Sequence, residues 1–317
     1  MITVLAGGVG AARYLAGLVQ VVDPAAVTAV VNTADDVWLH GLRVCPDLDT
    51  VTYTLAGAVD PDQGWGLAGE TWSVMTALAR YERRAPEGSP AGSTWFRLGD
   101  HDIATHLYRT ARLAEGADLV EVTAEVSAAW NVRCRLVPMT TDVVSTRLTP
   151  ADGSRELGFQ EYFVRYRHAV AVSAVRFAGV EHARPAAGVL DAIATADRVV
   201  VAPSNPILSI APIVAVPGIG EALAERRADV VAVSPIVAGA ALRGPADRLL
   251  AELGHEPSVV GVARLYAPWV ATLVIDDADA GRAGEVEAAG VRCVAGPTVM
   301  HGPAEAAALA ALTLAGS

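Results

Sequence analysis

The stretch from Val27 to Asp36 constrains this chain most. A strand-length apolar run, Val27 to Val31, stops abruptly at Asn32-Thr33-Ala34-Asp35-Asp36. Uncharged runs of this length suit strands buried on both faces, as in parallel sheets. Ile2 to Ala6 has the same form and is followed by Gly7-Gly8-Val9-Gly10 and a helical pattern from Ala11 to about Val21. Arg198–Ala202, Val230–Val233, Val270–Ile275 and Val291–Val294 repeat it in the second half, and Ala304–Leu314 closes as a helix. Strand–helix alternation from both ends, with no dividing linker, predicts a single α/β domain over 1–317. The expected fold is doubly wound, Rossmann-like and mostly parallel. A helical insertion is expected at about 60–130 and a small β insertion at about 143–168. In the latter, Val143–Leu148 and Leu157–Arg165 read as strands about the turn Pro150-Ala151-Asp152-Gly153, with Arg165 and Arg167 on one strand face.

In open sheets of this kind, ligands gather outside the carboxyl ends of the strands. The polar segment after Val31 is therefore the first candidate site, with Cys45-Pro46-Asp47-Leu48-Asp49-Thr50 about ten residues on. Alternation along an extended segment would put Asp47 and Asp49 on one side. Asp35, Asp36, Asp47 and Asp49, beside hydroxyls and an amide, suit a hard cation and a phosphate. The plainer alternative is a solvated loop with helix caps. Asn205, in Pro203-Ser204-Asn205-Pro206, closes a second parallel strand as Asn32 closes the first, and two such ends can line one crevice.

Net charge is −11, so the surface as a whole does not attract nucleic acid, and an anionic substrate needs a local positive device. All 24 basic residues are arginine. That excludes a Schiff-base lysine and a Walker-A lysine, and leaves Arg, backbone N–H groups and metal for phosphate. Three dispersed cysteines and no basic leader before the first strand lead us to expect a reduced cytoplasmic protein. Val199–Gly220 is uncharged but carries four prolines, which argues against a membrane helix.

The strand, Gly-rich turn and helix at the N-terminus aim backbone N–H groups at a phosphate. They do not make a dinucleotide fingerprint: Arg13 stands at the third glycine position, and Asn32 where a ribose-binding acid belongs. Downstream, Asp100 or Asp102 reads as the cap of a helix to Ala114, with His106 one turn past Asp102 and Arg109 a turn further. Arg97, just before the cap, is the better candidate for an anion contact.

Taken in order, Gly7-Gly8-Val9-Gly10, Val31–Asp36, Pro46–Thr50, Gly64-Trp65-Gly66, Leu98–His106 and Ala202–Pro206 resemble the 2-phospho-L-lactate transferases of coenzyme F420 biosynthesis. The Lys-free composition resembles the actinobacterial branch, described as phosphoenolpyruvate transferases. The resemblance implies a Mg2+-dependent transfer of a lactyl or enolpyruvyl phosphoryl group from a guanosine diphosphate diester. The acceptor is the ribityl hydroxyl of the deazaflavin Fo, and GMP leaves. It implies Fo contacts at Asp49 and Arg97. Asp47 or Asp49 would hold metal or take the hydroxyl proton, with Asp62 a further metal ligand. Gly8, Gly10, Arg13, Asn32, Thr33, Asp36, Thr50, Asp100, His106, Ser204 and Asn205 would line the substrates. A homodimer is expected. A regulatory branch of the same superfamily, binding nucleotide-sugars without transfer, is the rival.

Overall fold

The computed structural model describes residues 1–86, 89 and 91–315. Seven strands form the central sheet: β1 (Ile2–Ala6), β2 (Val27–Val31), β3 (Arg135–Pro138), β4 (Arg198–Val201), β5 (Val230–Val233), β6 (Thr272–Asp276) and β7 (Arg292–Gly296). They run parallel in the order β7-β6-β5-β4-β1-β2-β3. The order reverses between β1 and β4, which makes their carboxyl ends a topological switch point. The strands lack polar alternation because both faces are covered. Leu5, Val30, Val199, Val201 and Ile275 enter one core, while Val4, Ala6, Val31, Val200 and Val274 enter the other.

The helices that matter for the site are α1 (Gly8–Val21), α2 (Pro46–Leu55), α3 (Ser73–Glu82), α4 (Asp100–Ala114) and α5 (Leu119–Ala129). The fold and the strand positions agree with the sequence reading. Val199–Gly220 becomes β4, a short π turn and buried helical pieces. Among the described residues no single helix is long and apolar enough to cross a membrane. The Pro-, Gly- and Ser-rich stretch 86–93, which reads as a loop, lies partly outside the described residues.

Three expectations are corrected. Asp47 and Asp49 lie in the first turn of α2, with Pro46 at its start, and not on an extended segment. Proline is pre-organised for that position and acidic residues favour a helix N-terminus. A spacing of two on a helix turns their side chains apart. The second arm of the β insertion stops after Leu157–Gly158 and passes into a π turn, Glu161–Arg165. Ser145–Pro150 then pairs antiparallel with Val172–Ala178, so the insertion is three-stranded and runs past 168. Arg165 and Arg167 consequently share no strand face, and Arg167 adopts φ 48°.

Candidate functional site

Strand register brings the polar ends level. Ala6 pairs with Val31, and Leu5 with Val201, so Gly7, Asn32 and Pro203 emerge side by side. Gly8 takes φ +68°, and a Cβ on Gly10 would stand 2.2 Å from the Pro203 carbonyl oxygen. Gly10 is thus needed for the close approach of α1 to the β4 end. Ser204 Oγ donates to the Gly7 carbonyl at 2.8 Å, which ties the two strand ends together. Asn205 Oδ1 accepts from Ile207 N and Leu208 N, so this side chain caps the turn behind the crevice.

Asn32 organises the open side. Its Nδ2 donates to Asp35 and to Asp47, each at 3.0 Å, while its Oδ1 accepts from Ala34 N at 2.9 Å. One buried amide therefore holds two carboxylates that have no basic partner within ion-pair distance among the described residues. The Asp47 carboxyl is pushed up to about 7. Burial raises it, the bonds from Asn32 and the Gly8 N–H oppose, and the Asp36 charge adds. Burial, then the Asp47 charge, holds Asp35 well above the usual carboxylate range. Asp36 is raised to about 6 by burial, against the pull of Arg43, whose Nη2 lies 2.9 Å away. Thr33 Oγ1, Asp35 Oδ1 and Asp36 Oδ1 are buried without a hydrogen-bond partner. Orphaned hard oxygens of this kind fit a divalent cation such as Mg2+.

Asp49 meets the opposite environment. Arg109, 2% exposed, grips both of its oxygens, with Nη1 3.2 Å from Oδ2 and Nη2 on Oδ1. Arg109 Nη1 also lies 3.2 Å from His106 Nδ1. Arginine only donates, so Nδ1 accepts and a neutral ring carries its proton on Nε2. That atom lies 3.1 Å from Asp102 Oδ2, off the line of a good hydrogen bond. Tyr53 donates to Asp102 Oδ1 at 2.7 Å. Burial alone would raise Asp102, yet the contacts of His106, Tyr53 and Arg109 hold it below the ordinary value. Asp49, Asp102 and His106 come close enough to share a metal, but Arg109 already supplies the cation there. Thr50, next along α2, is buried.

Other candidates stand apart from both clusters. Asp62 is exposed on the 60–66 turn and is not brought together with Asp47 and Asp49 into one ligand group. Asp100 does not cap its own helix. Its oxygens accept from Ser73 N and Val74 N and so cap α3, while Glu70 takes His101 N and Asp102 N at the start of α4. The start of α3 is thus capped from α4, and the start of α4 from the segment leading into α3. A Cβ on Gly99 would stand 2.1 Å from Glu70 Cδ, so a larger residue there would push the capping carboxylate aside. Arg97 is exposed and lies over the Trp72 ring at 4.3 Å. Arg13 lies beside Arg243.

A cavity of about 320 Å³ opens between the Asp35–Trp38 segment and the β insertion, lined by Trp38, Arg43, Trp95, Arg147, Phe159 and Gln160 among others. Gln160 Nε2 donates to the Asp35 carbonyl at 2.9 Å, which joins the insertion to the crevice. The sequence reading named Asp35 only as a member of the carboxylate cluster, and it did not reach Arg43, Tyr53, Glu70, Trp38 or Arg243. Only Asp35 carried a signal, as the partner of Asp36 in the run closing β2.

The model of a family described as 2-phospho-L-lactate transferase CofD matches residues 2–290. A phosphoenolpyruvate transferase of Streptomyces griseus is 47% identical over 312 residues, covering 98% of this chain and 96% of its own length. Phosphoenolpyruvate transferases of Kitasatospora aureofaciens and Nocardia farcinica are 46% and 42% identical, each over 99% of this chain and over 97% and 95% of their own. A crystal structure of a UPF0052 family member from Bacillus halodurans matches with TM-score 0.62 at 18% identity, covering 99% of this chain and 98% of that one. That likeness speaks for the fold alone.

Proposed function

The chain belongs to the 2-phospho-L-lactate transferase family, and from that premise we propose that it moves a phosphoenolpyruvyl or 2-phospholactyl group onto Fo. The donor is a guanosine diphosphate diester, the acceptor is the ribityl hydroxyl, and GMP leaves, in coenzyme F420 biosynthesis. The names of the relatives favour the phosphoenolpyruvyl donor. One observation carries the assignment of the chemistry: the pair Asp35 and Asp47, held on one amide at the switch point with no basic side chain within ion-pair distance among the described residues.

Transfer between two oxygens asks for in-line placement and charge neutralisation more than for covalent help. Asp47, beside the Gly8 N–H at the open side of the crevice, is placed to accept the hydroxyl proton. Asp35, Thr33 and the second oxygen of Asp47 would hold Mg2+, which when bound supplies positive charge to the phosphoryl oxygens. The cavity lined by Trp38, Trp95 and Phe159 suits an aromatic acceptor ring, and Asp35 and Asp36 are also among its lining residues. Asp49, taken up by Arg109, then joins α2 to α4.

Incubation with Fo, Mg2+ and each guanylylated donor, followed by mass spectrometry, tests the proposal. The expected result is GMP together with an Fo adduct, the enolpyruvyl product being lighter than the lactyl one by two hydrogens. No adduct from either donor, with Fo fluorescence unchanged on titration, would leave the regulatory reading.

A further inference from the structure

Arg13 and Arg243 lie 230 positions apart in sequence, yet both guanidinium groups reach the 60–66 turn. A Cβ built on Gly64 would stand 2.9 Å from Arg243 Nη1, 3.6 Å from Arg13 Nη2 and 3.3 Å from Val9 Cγ1. Val9 and Arg13 share one face of α1, so Arg13 points back toward the helix start and the Gly-rich turn. Arg243 follows the small hairpin of Ile236–Val237 and Ala240–Ala241, and its Nη1 donates to the Gln63 carbonyl at 3.1 Å. Burial, then the charge of Arg243, depresses Arg13. Among the described residues neither arginine has a carboxylate within ion-pair distance, whereas Arg43 and Arg109 near the same crevice are each held by one. The first turn of α1 itself contains no acidic residue, and the carboxyl that meets the helix start, Asp47, accepts from the Gly8 N–H rather than from either arginine. Two like charges brought together without a counter-ion repel each other. An anion with two charges set close together removes that repulsion and can take both forks.

We propose that Arg13 and Arg243 form a subsite for the two phosphates of the nucleotide donor, and that the pair distinguishes a nucleoside diphosphate from a monophosphate. The inference rests on the transferase reading for the identity of the nucleotide. It gives the C-terminal part of the chain a role in donor recognition. In the proposed reaction the outer phosphoryl group leaves with the acceptor. GMP then keeps one phosphate and loses one of the two arginine contacts, which favours its release.

Binding of GDP, GMP and inorganic pyrophosphate should be measured by calorimetry on the full chain and on Arg243→Ala, Arg243→Glu, Arg243→Lys and Arg13→Ala. Arg243 is exposed, so its variants are expected to fold, with circular dichroism as the check. Arg243→Ala should weaken GDP about tenfold or more and GMP by less, in line with one charged hydrogen bond. Arg243→Glu should weaken it further, and Arg243→Lys should recover part of the loss. GDP affinity unchanged in both Arg243→Ala and Arg243→Glu would overturn the subsite. Equal losses for GDP and GMP would overturn the discrimination. If the parent transfers the group normally and Arg243→Glu keeps its donor KM, this inference fails while the transferase reading stands. If the parent binds pyrophosphate through Arg243 but does not bind GDP, the anion subsite stands and the transferase reading fails.

Discussion

Asp47 and Asp49 sit in the same helical turn, two residues apart, and meet opposite fates. Asp49 faces a buried arginine that takes both its oxygens, with His106, Asp102 and Tyr53 behind. Asp47 faces Asn32 and Gly8, with Asp35 across the amide and no basic side chain within ion-pair distance among the described residues. Helical geometry separates them, since successive odd positions in a helix diverge. The difference teaches how one acidic motif serves two purposes. The neutralised carboxylate fixes α2 against α4, and the unneutralised one, which burial pushes toward its protonated form, is left for a ligand.

The largest effect should come from the open side. Asp47→Asn preserves a partner for Asn32 and removes the proton acceptor, so turnover should fall by about 10²–10⁴. Steady-state assay with Fo as acceptor reads this, and parent-like turnover would remove Asp47 from the chemistry. Next comes the closed side. Arg109→Ala leaves Asp49 buried without its counter-charge, so urea denaturation should show a loss of about 3–5 kcal/mol. A change within experimental error would mean that the Asp49–Arg109 pair does not hold α2 to α4.

A smaller effect concerns pH. Folded Asp47 keeps its proton up to about 7, whereas the unfolded group releases it near ~3.9. Between those values the native state binds more protons, so this group makes stability fall as pH rises from about 4 to about 7. The crevice admits some water, so a fall of about 1–2 kcal/mol is expected for metal-free protein. Asp47→Asn should flatten that slope, and an unaltered slope would show that Asp47 is not the group concerned. The smallest effect is Arg97→Ala. Its contact with Trp72 is exposed and is worth about 0.5–1 kcal/mol of stability. Fo fluorescence titration on the same variant decides whether Arg97 also meets the acceptor: a loss of about 1.5–3 kcal/mol in affinity is expected for a charged contact, and an unchanged affinity would leave only the surface role.

The sheet was legible in the sequence because its strands are buried on both faces and read as uninterrupted apolar runs. The crevice was legible because those runs end in Asn32 and Ser204-Asn205, at the same level in the sheet. Alternation misread Pro46–Thr50, although Pro46 with acids close behind is itself a helix-start signal. The exchange of caps between Glu70 and Asp100 depends on two helices meeting, which spacing along one helix cannot show. The Arg243–Gln63 contact spans 180 residues and has no local signature.

The central claim is the division of labour between Asp47 and Asp49, and unfolding free energy at pH 8 in metal-free buffer tests it most directly. Asp47→Asn should match or exceed the parent, because it removes a half-buried charge that has no ion-pair partner among the described residues. Asp49→Asn should fall below the parent by about 3 kcal/mol, because Arg109 loses its counter-charge in the interior. The reverse order, or equal stability of the two variants, would contradict the account.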